Sequence, residues 1–256
     1  MNTPSRPPRC NACKDGQALD FAFSMAFQPI VDVRSRSLFA YEALVRGVDG
    51  SGAQGILERV SEHNRYAFDQ ACRVKAVELA AQLGVPCYLS INFLPNAVYQ
   101  AATCIRATLE AARRTGFPTE RLIFEITENE HVVDKQHLKD IMREYARQGF
   151  KTAIDDFGAG YSGLNFLAEF QPDIIKLDMA LVRNVHSDRV RIAIIEGILG
   201  VCRALDIQVI AEGVESLEEF LQLRRQGLSL FQGYWFARPG FEQLPAVHWP
   251  DQAGEA

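Results

Sequence analysis

The sequence of 256 residues lacks several features that would assign it to other classes of protein. No run approaches the roughly 20 apolar residues that a membrane-spanning helix needs, and the N-terminus has no apolar segment of a signal peptide. We therefore predict a cytoplasmic protein with no membrane partner. The net charge is −5, from 27 basic and 32 acidic residues, which argues against binding a nucleic-acid polymer through bulk positive charge.

The six cysteines do not indicate a disulfide-rich protein. Four of them lie inside apolar stretches and are predicted to be small core residues, namely Cys72, Cys87, Cys104 and Cys202. Cys10 and Cys13 form a C-x-x-C pair in a proline-rich N-terminal tail, without the second pair that a zinc site needs. An untethered tail, a zinc site shared between two chains and a redox pair are the three interpretations of this segment.

Short apolar runs alternate with longer amphipathic stretches along most of the chain. This alternation of strand-like and helix-like segments predicts an α/β fold, a TIM-like (β/α)8 barrel. The first two strands are joined by a short polar turn, DVRSRS, so we expect one antiparallel strand near the N-terminus. The predicted division is an N-terminal tail (1–24), a barrel (25–245) and a C-terminal tail (246–256). The predicted strands are 24–31, 38–45, 87–92, 122–127, 151–155, 173–178, 207–211 and 230–236, and the predicted helices are 67–83, 99–115, 135–148, 189–205 and 216–226.

Polar side chains lie in these strands or directly after them. In a parallel barrel the C-terminal strand ends open on one face, where such side chains would meet. Each could instead be an isolated buried polar residue with its own partner. Clustered carboxylates with few basic residues beside them would repel one another unless cations were bound, and an oxygen-rich set suits Mg²⁺ or Mn²⁺. The residues are Glu42, Asn92, Glu125, Asp155, Asp156, Lys176, Glu212 and Gln232.

Eight short motifs in order resemble the EAL-domain cyclic di-GMP phosphodiesterases, from about Met25 to Phe241. They are FQPIVD (27–32), YEALVR (41–46), LSIN (89–92), FEITE (124–128), DDFGAGYSGL (155–164), DIIKLD (173–178), AEGVE (211–215) and QGYWFARP (232–239). The resemblance implies hydrolysis of cyclic di-GMP to linear pGpG by a water that two divalent cations activate. It also implies a homodimer.

The resemblance further implies a role for individual residues. Lys176 would orient the nucleophilic water or offset charge on the phosphorane, and Glu212 would be either a metal ligand or the general base. The first metal would be bound by Glu42, Asn92, Glu125 and Asp155, and the second by Asp155, Asp156 and Glu212. The substrate-binding residues would be Gln28, Leu44, Arg46 and Gln232.

The segment after the fifth strand is either a plain loop or, as the resemblance implies, a switch that couples metal occupancy to the dimer interface. The residues implied for this role are Glu128, Phe157, Gly158, Gly160, Tyr161, Ser162 and Glu215. Two other functions compete with the enzyme. One is a non-catalytic cyclic di-GMP receptor or protein-interaction module, and the other is an unrelated barrel hydrolase. The complete set of implied metal ligands favours the phosphodiesterase.

Overall fold

The structure, a computed structural model, describes residues 19–98, 101–128, 135–160 and 163–250. Within these ranges the strands form one sheet in the order β2-β3-β4-β5-β6-β7-β8-β1-β9. Because β1 also pairs with β2, the sheet closes into a barrel. The strands are β1 (Phe23–Asp32), β2 (Ser37–Gly47), β3 (Tyr88–Asn92), β4 (Leu122–Thr127), β5 (Lys151–Phe157), β6 (Ile174–Leu177), β7 (Gln208–Ala211), β8 (Leu230–Phe231) and β9 (Gly240–Phe241).

The antiparallel strand predicted near the N-terminus is β1. It pairs antiparallel with β2, β8 and β9, whereas β2 to β8 pair with one another in parallel. The polar turn between β1 and β2 is too short for a helical crossover, and Arg36 takes a left-handed conformation there (φ 50°). The TIM-like barrel with one irregular strand is thereby confirmed.

Helices cover the outside of the barrel between most strands. Some have clear end signals: Ser216 and Glu219 form a reciprocal capping box at the start of the last helix, and Gly116 ends another with φ 74°. No helix in the described ranges is long and apolar enough to cross a membrane. The α-helices are α1 (Gln54–Leu57), α2 (Arg65–Gln82), α3 (Ala101–Cys104), α4 (Arg106–Thr115), α5 (Lys135–Arg147), α6 (Gly163–Glu169), α7 (Met179–Val182), α8 (Arg189–Ala204) and α9 (Leu217–Arg225); 3-10 turns lie at Pro95–Ala97, Thr119–Arg121 and Val185–Ser187.

A layer of apolar side chains fills the barrel below its C-terminal face. Seven strands contribute one residue each, and all seven residues are almost completely inaccessible to solvent. The layer supports the residues at the C-terminal face, because each parallel strand continues from the layer to its own C-terminal end. Its members are Ile30, Ala40, Ile123, Ala153, Ile174, Ile210 and Leu230.

The structure differs from the sequence-based prediction mainly at the last strand. The run 230–236 was expected to be one strand, but β8 ends at Phe231 and the chain then turns. The helix predicted for 99–115 is divided at Ile105 into α3 and α4, and residues 99–100 lie outside the described ranges. Cys10 and Cys13 also lie outside them, so the interpretation of this pair and the domain boundaries stay predictions.

Candidate active site

The alternation of a β-strand places the polar residues directly above the apolar layer. On the parallel strands each polar residue follows an apolar one by two positions, and residues two apart share a face of the sheet. On the antiparallel strand β1 the order reverses, so Gln28 comes two residues before Ile30. The pairs on the parallel strands are Ala40 and Glu42, Ile123 and Glu125, Ala153 and Asp155, Ile174 and Lys176, Ile210 and Glu212, and Leu230 and Gln232.

Lys176 lies at the centre of this polar layer and is fully buried. Its Nζ contacts four carboxylates from four other parts of the barrel. The distances are 2.7 Å to Glu212 Oε1, 2.8 Å to Glu125 Oε2, 3.1 Å to Asp155 Oδ1 and 3.2 Å to Glu42 Oε2. The predicted convergence of strand-end side chains is therefore observed.

Neutral side chains hold the carboxylates from the outside. Asn92 Nδ2 donates to Glu42 Oε1 at 2.9 Å, and Gln232 Nε2 donates to Glu42 Oε2 at 2.7 Å. The hydroxyl of Ser90 donates to Glu125 Oε1. Lys176 donates to the second oxygen of Glu125, so both oxygens of Glu42 and of Glu125 accept hydrogen bonds. These bonds satisfy carboxylates that would be costly to bury alone.

The acidic residues form two overlapping groups that could each hold a cation. In each group one oxygen per residue lies within 4.8 Å of the others, and Asp155 belongs to both. Carboxylate oxygens with an amide nearby are the donors that hard divalent cations such as Mg²⁺ and Mn²⁺ prefer, and no histidine or cysteine contributes to either group. The groups are Glu42, Glu125 and Asp155, and Asp155, Asp156 and Glu212.

The ionisation of these groups reflects their crowding. Burial raises the pKa of Glu125 to about 8, and neighbouring carboxylates add to this effect. Burial and the charge of Asp155 raise the pKa of Glu212 well above its usual value. Burial also raises the pKa of Asp156, to about 6. The site therefore disfavours further negative charge, and added positive charge would relieve it.

In two cluster members, Asp155 and Lys176, the pKa shift favours the charged form. Burial alone would raise the pKa of Asp155, but the ammonium of Lys176 and hydrogen bonds with Glu212, Lys176 and the Asp156 amide together outweigh it, so the pKa is lowered. For Lys176 burial alone would lower the pKa, and the surrounding carboxylates instead hold it well above its usual value. Lys176 is thus a charged, internal counter-ion of the acidic cluster.

The last residues of β5 and those directly after it turn sharply at the edge of the cluster. Asp156 and Gly158 both take left-handed conformations, with φ 54° and 97°. Glu128 spans this turn, since its Oε2 accepts from the Gly158 amide at 2.7 Å and its own amide donates to Asp155 O at 2.9 Å. Phe157 anchors the turn in the core. Glu128 therefore contacts the loop directly, and its switch role stays a prediction.

Other residues predicted for the loop are spread over a wider region. Gly160 is half-buried at the end of the turn, and Tyr161 and Ser162 lie outside the described ranges. Glu215 is exposed and pairs with Arg183 at 2.8 Å, so the structure places it on the rim and not among the carboxylates that contact Lys176.

The residues predicted to bind substrate come from the neighbouring strands β1 and β2 and from the end of β8. Gln28 and Gln232 are buried. Gln232 Nε2 donates to Gln28 Oε1 at 3.3 Å, and Gln28 Nε2 donates to Ala237 O at 3.2 Å. Leu44 and Arg46 line a mostly apolar cavity of about 300 Å³ that also reaches Asn92. The cavity adjoins the cluster through Asn92, which belongs to both.

Two residues of the site were missed from the sequence. Ser90 contacts Glu125, and its position two residues before Asn92 was the available signal, since both point to the same face of β3. Asp178, two residues after Lys176, caps α7 by accepting from the Ala180 amide at 2.7 Å, and its charge helps to raise the pKa of Asp156. A capping pattern at a strand end signals the helix but not the contact with Asp156.

Comparison with known proteins gives relatives over most of the chain. The chain is 33% identical over 228 residues to the blue light- and temperature-regulated antirepressor BluF of Escherichia coli, covering 89% of this chain and 57% of that protein. It is 38% identical over 174 residues to the cyclic di-GMP phosphodiesterase RocR of Pseudomonas aeruginosa, covering 67% of this chain and 42% of that protein. The chain thus spans about half the length of these curated relatives.

Solved structures match the whole barrel. A standalone versatile EAL protein from Vibrio cholerae, in its c-di-GMP-bound form, has a TM-score of 0.88 and 57% identity, covering 90% of this chain and 98% of that one. BlrP1 from Klebsiella pneumoniae, in a manganese and cyclic di-GMP complex, has a TM-score of 0.85 and 34% identity, covering 92% of this chain and 61% of that one.

A family match agrees with both sets of similarities. The family described as EAL domain matches residues 17–239, which include every strand from β1 to β8 and all the residues of the acidic cluster. The chain belongs to the EAL domain family.

Proposed function

We propose that the chain is a metal-dependent phosphodiesterase that hydrolyses cyclic di-GMP to linear 5′-pGpG. The observation that carries this proposal is the pair of carboxylate groups that share Asp155 around buried Lys176. The name of RocR as a cyclic di-GMP phosphodiesterase and the ligands of the BlrP1 complex support the same activity and substrate.

The donor set fits two divalent cations, for which we propose Mg²⁺ or Mn²⁺. Five carboxylates with one lysine and one arginine leave a charge of about −3, which would repel a doubly anionic substrate, and two divalent ions would change this to about +1. When bound, the ions would lower the pKa of a water molecule and offset charge on the phosphate oxygens. The first ion would be held by Glu42, Asn92, Glu125 and Asp155, and the second by Asp155, Asp156 and Glu212.

The chain's own residues would complete the chemistry. Lys176 lies 2.7 Å from Glu212 and 3.1 Å from Asp155, so its ammonium can orient the attacking water or offset the charge that develops on phosphorus. Glu212, if it is not a ligand, can accept the proton of that water. The water oxygen would form a bond to phosphorus while the bond to the 3′ oxygen breaks, and that oxygen would leave as a hydroxyl after taking a proton from solvent or from the carboxylate that accepted the proton of the attacking water.

The surroundings of the cluster suit the rest of the substrate. Arg46 offers a cation for a phosphate, and the apolar walls beside Leu44 suit the faces of a guanine. Gln28 and Gln232 carry amide groups on the neighbouring strand β1 and directly after β8. We further propose a cytoplasmic homodimer that acts on this small molecule without a nucleic-acid polymer or a membrane as partner, and that uses the segment after β5 as its switch.

A non-catalytic function is the second candidate, because BluF is named an antirepressor and is 33% identical to this chain. Such a protein would bind cyclic di-GMP or a partner protein and would not turn the dinucleotide over. Binding without turnover would therefore separate it from the enzyme.

The test is conversion of cyclic di-GMP by the purified chain in Mg²⁺, in Mn²⁺ and in EDTA, with pGpG measured by chromatography. We expect pGpG only with metal, and in Glu42→Gln we expect the rate to fall to that of the EDTA sample. Glu78→Gln is the control, because Glu78 pairs with Arg114 on the surface, and it should keep the wild-type rate. Binding of cyclic di-GMP without pGpG in either metal would instead support the receptor.

A further inference from the structure

Ser90 is a buried hydroxyl beneath the acidic cluster. It lies on β3 directly between Glu42 of β2 and Ile123 of β4, and its side chain is fully inaccessible to solvent. Asn92 follows two residues later on the same face of the strand. Ser90 therefore faces the barrel interior one step below a proposed metal ligand, where substrate cannot reach it.

The hydroxyl of Ser90 completes the hydrogen bonding of one carboxylate. It donates to Glu125 Oε1, while Oε2 accepts from Lys176 at 2.8 Å. Lys176 is shared with three further carboxylates, whereas the Ser90 hydroxyl contacts Glu125 alone among them. The orientation of Glu125 thus depends on Ser90 more than on the lysine, which could move toward its other partners.

A serine suits this position electrostatically. Its hydroxyl is neutral, so it orients Glu125 without adding a second positive charge that would oppose a cation. Each carboxylate oxygen has two lone pairs, which leaves acceptor capacity for a metal after the hydroxyl has bound. Hydrogen-bond partners that orient metal ligands typically change metal affinity by about 10–100-fold when they are removed.

We propose that Ser90 is a positioning residue that fixes Glu125 for the first metal and thereby sets the affinity of that site. This inference rests on the proposed two-metal function. Ser90 touches neither substrate nor the reacting atoms, so it acts through Glu125 alone.

The test is the affinity of the full chain for Mn²⁺, measured by titration of free Mn²⁺ with electron paramagnetic resonance and without substrate. For Ser90→Ala we expect the affinity of one of the two Mn²⁺ positions, which we assign to the first metal, to fall by about 10–100-fold, and the other position to keep its affinity. Urea unfolding in EDTA shows whether each variant is folded. If Ser90→Ala does not fold, Ser90→Cys keeps the volume with a weaker donor and should give a smaller loss in the same direction.

Thr152→Val is the matched control. Thr152 is also buried on a barrel strand, and its hydroxyl donates to Asp173 Oδ2 at 3.1 Å, at the N-terminal end of the barrel and away from the cluster. This variant loses a similar bond and should keep wild-type Mn²⁺ affinity. Equal affinity in Ser90→Ala and the wild type, or equal losses in Ser90→Ala and Thr152→Val, would overturn the role of Ser90. Failure of the wild type to bind Mn²⁺ would instead overturn the proposed function.

Discussion

At the residue scale, the acidic cluster depends on one buried lysine. Burial of an ammonium is unfavourable by itself, and Lys176 keeps its charge because four carboxylates lie within 3.2 Å of Nζ. The same contacts make the carboxylates tolerable to each other in the absence of metal. Lys176 thus supplies part of the positive charge that the site requires, and a divalent cation would supply the rest.

Replacing Lys176 with methionine tests this balance. Removing one partner of a buried ion pair typically costs about 3–5 kcal/mol, because it leaves the opposite charge uncompensated. We expect Lys176→Met to lower the free energy of unfolding by about that amount in EDTA at pH 8, measured with urea. Mn²⁺ should stabilise this variant more than the wild type, because the added cation replaces the missing charge.

Lys139→Met is the control for this prediction. Lys139 pairs with Glu169 at 3.0 Å near the surface, where such pairs are worth about 1 kcal/mol or less. We expect a small change in the free energy of unfolding of Lys139→Met, and we expect Mn²⁺ to stabilise this variant as much as the wild type. Equal losses of unfolding free energy in the two lysine variants would show that the contacts of Lys176 do not compensate the negative charge of the cluster.

The sequence predicted the members of the cluster better than their contacts. Glu42, Glu125 and Asp155 were identifiable because polar residues interrupt apolar strands, and a barrel brings such positions together. Ser90 was missed because a single serine in a strand has no distinctive pattern, and only the side-chain geometry shows that its hydroxyl reaches Glu125. Side-chain contacts across strands depend on the register between two strands, which a motif read along one strand does not show.

At the scale of elements, the segments that follow β7 and β8 are joined by hydrogen bonds between their backbones. The Val214 amide donates to Gln232 O at 3.1 Å, and the Trp235 amide donates to Val214 O at 3.0 Å. Gly233 lies between these bonds, and a Cβ there would be 2.1 Å from Val214 O and 2.4 Å from Val214 N. This close approach accounts for the end of β8 at Phe231, although the aromatic residues Tyr234, Trp235 and Phe236, of a kind enriched in strands, follow shortly after it.

Gly233→Ala should therefore displace the backbone next to Glu212. Atoms so close to a backbone cannot be avoided by rotating a side chain, so we expect a loss of about 3 kcal/mol in the free energy of unfolding by urea. Gly227→Ala is the matched control, since Gly227 has φ 96° but open space around its Cβ position. Gly227→Ala should lose only about 1 kcal/mol of unfolding free energy, because an alanine is strained in this left-handed conformation. A smaller loss for Gly233→Ala than for Gly227→Ala would contradict this explanation.

The other strand predictions succeeded because their physical cause is local. Seven of the eight predicted runs coincide with strands of the barrel to within two residues at each end, since buried strands need apolar, branched side chains wherever they lie. The run 230–236 failed because its end depends on Val214, about 20 residues away in sequence. A contact of that range leaves no trace in a local pattern.

At the scale of the whole molecule, helix α8 presents an apolar face to solvent. Val190, Ile194 and Val201 of α8, and Leu205 directly after its last residue, are 68%, 45%, 37% and 43% exposed. At 100° per residue these positions share one face with four small residues, and no charged residue lies on it. The small residues are Ala193, Gly197, Gly200 and Ala204. An exposed apolar strip on a helix typically marks a protein–protein contact.

The pattern of this face is complementary to itself. If two copies of α8 cross antiparallel at Gly197, three of the four large side chains meet a small one: Val190 meets Ala204, Ile194 meets Gly200 and Val201 meets Ala193. Leu205, at the end of the face, would lie opposite Arg189. A two-fold interface has this property because the same surface is used twice. The proposed homodimer therefore has a surface that fits a second copy of the chain.

Sedimentation of the wild type and of Ile194→Glu tests the oligomeric state that this face predicts. A glutamate in the centre of an apolar interface would be buried without a partner, so we expect a dimeric wild type and a monomeric variant at the same concentration. Val48→Glu is the control, because Val48 is 63% exposed but lies outside α8, and this variant should remain dimeric. A monomeric wild type would refute the homodimer itself. Dimers in all three proteins would show that the two copies meet through another surface, and the apolar face of α8 would then have a different partner.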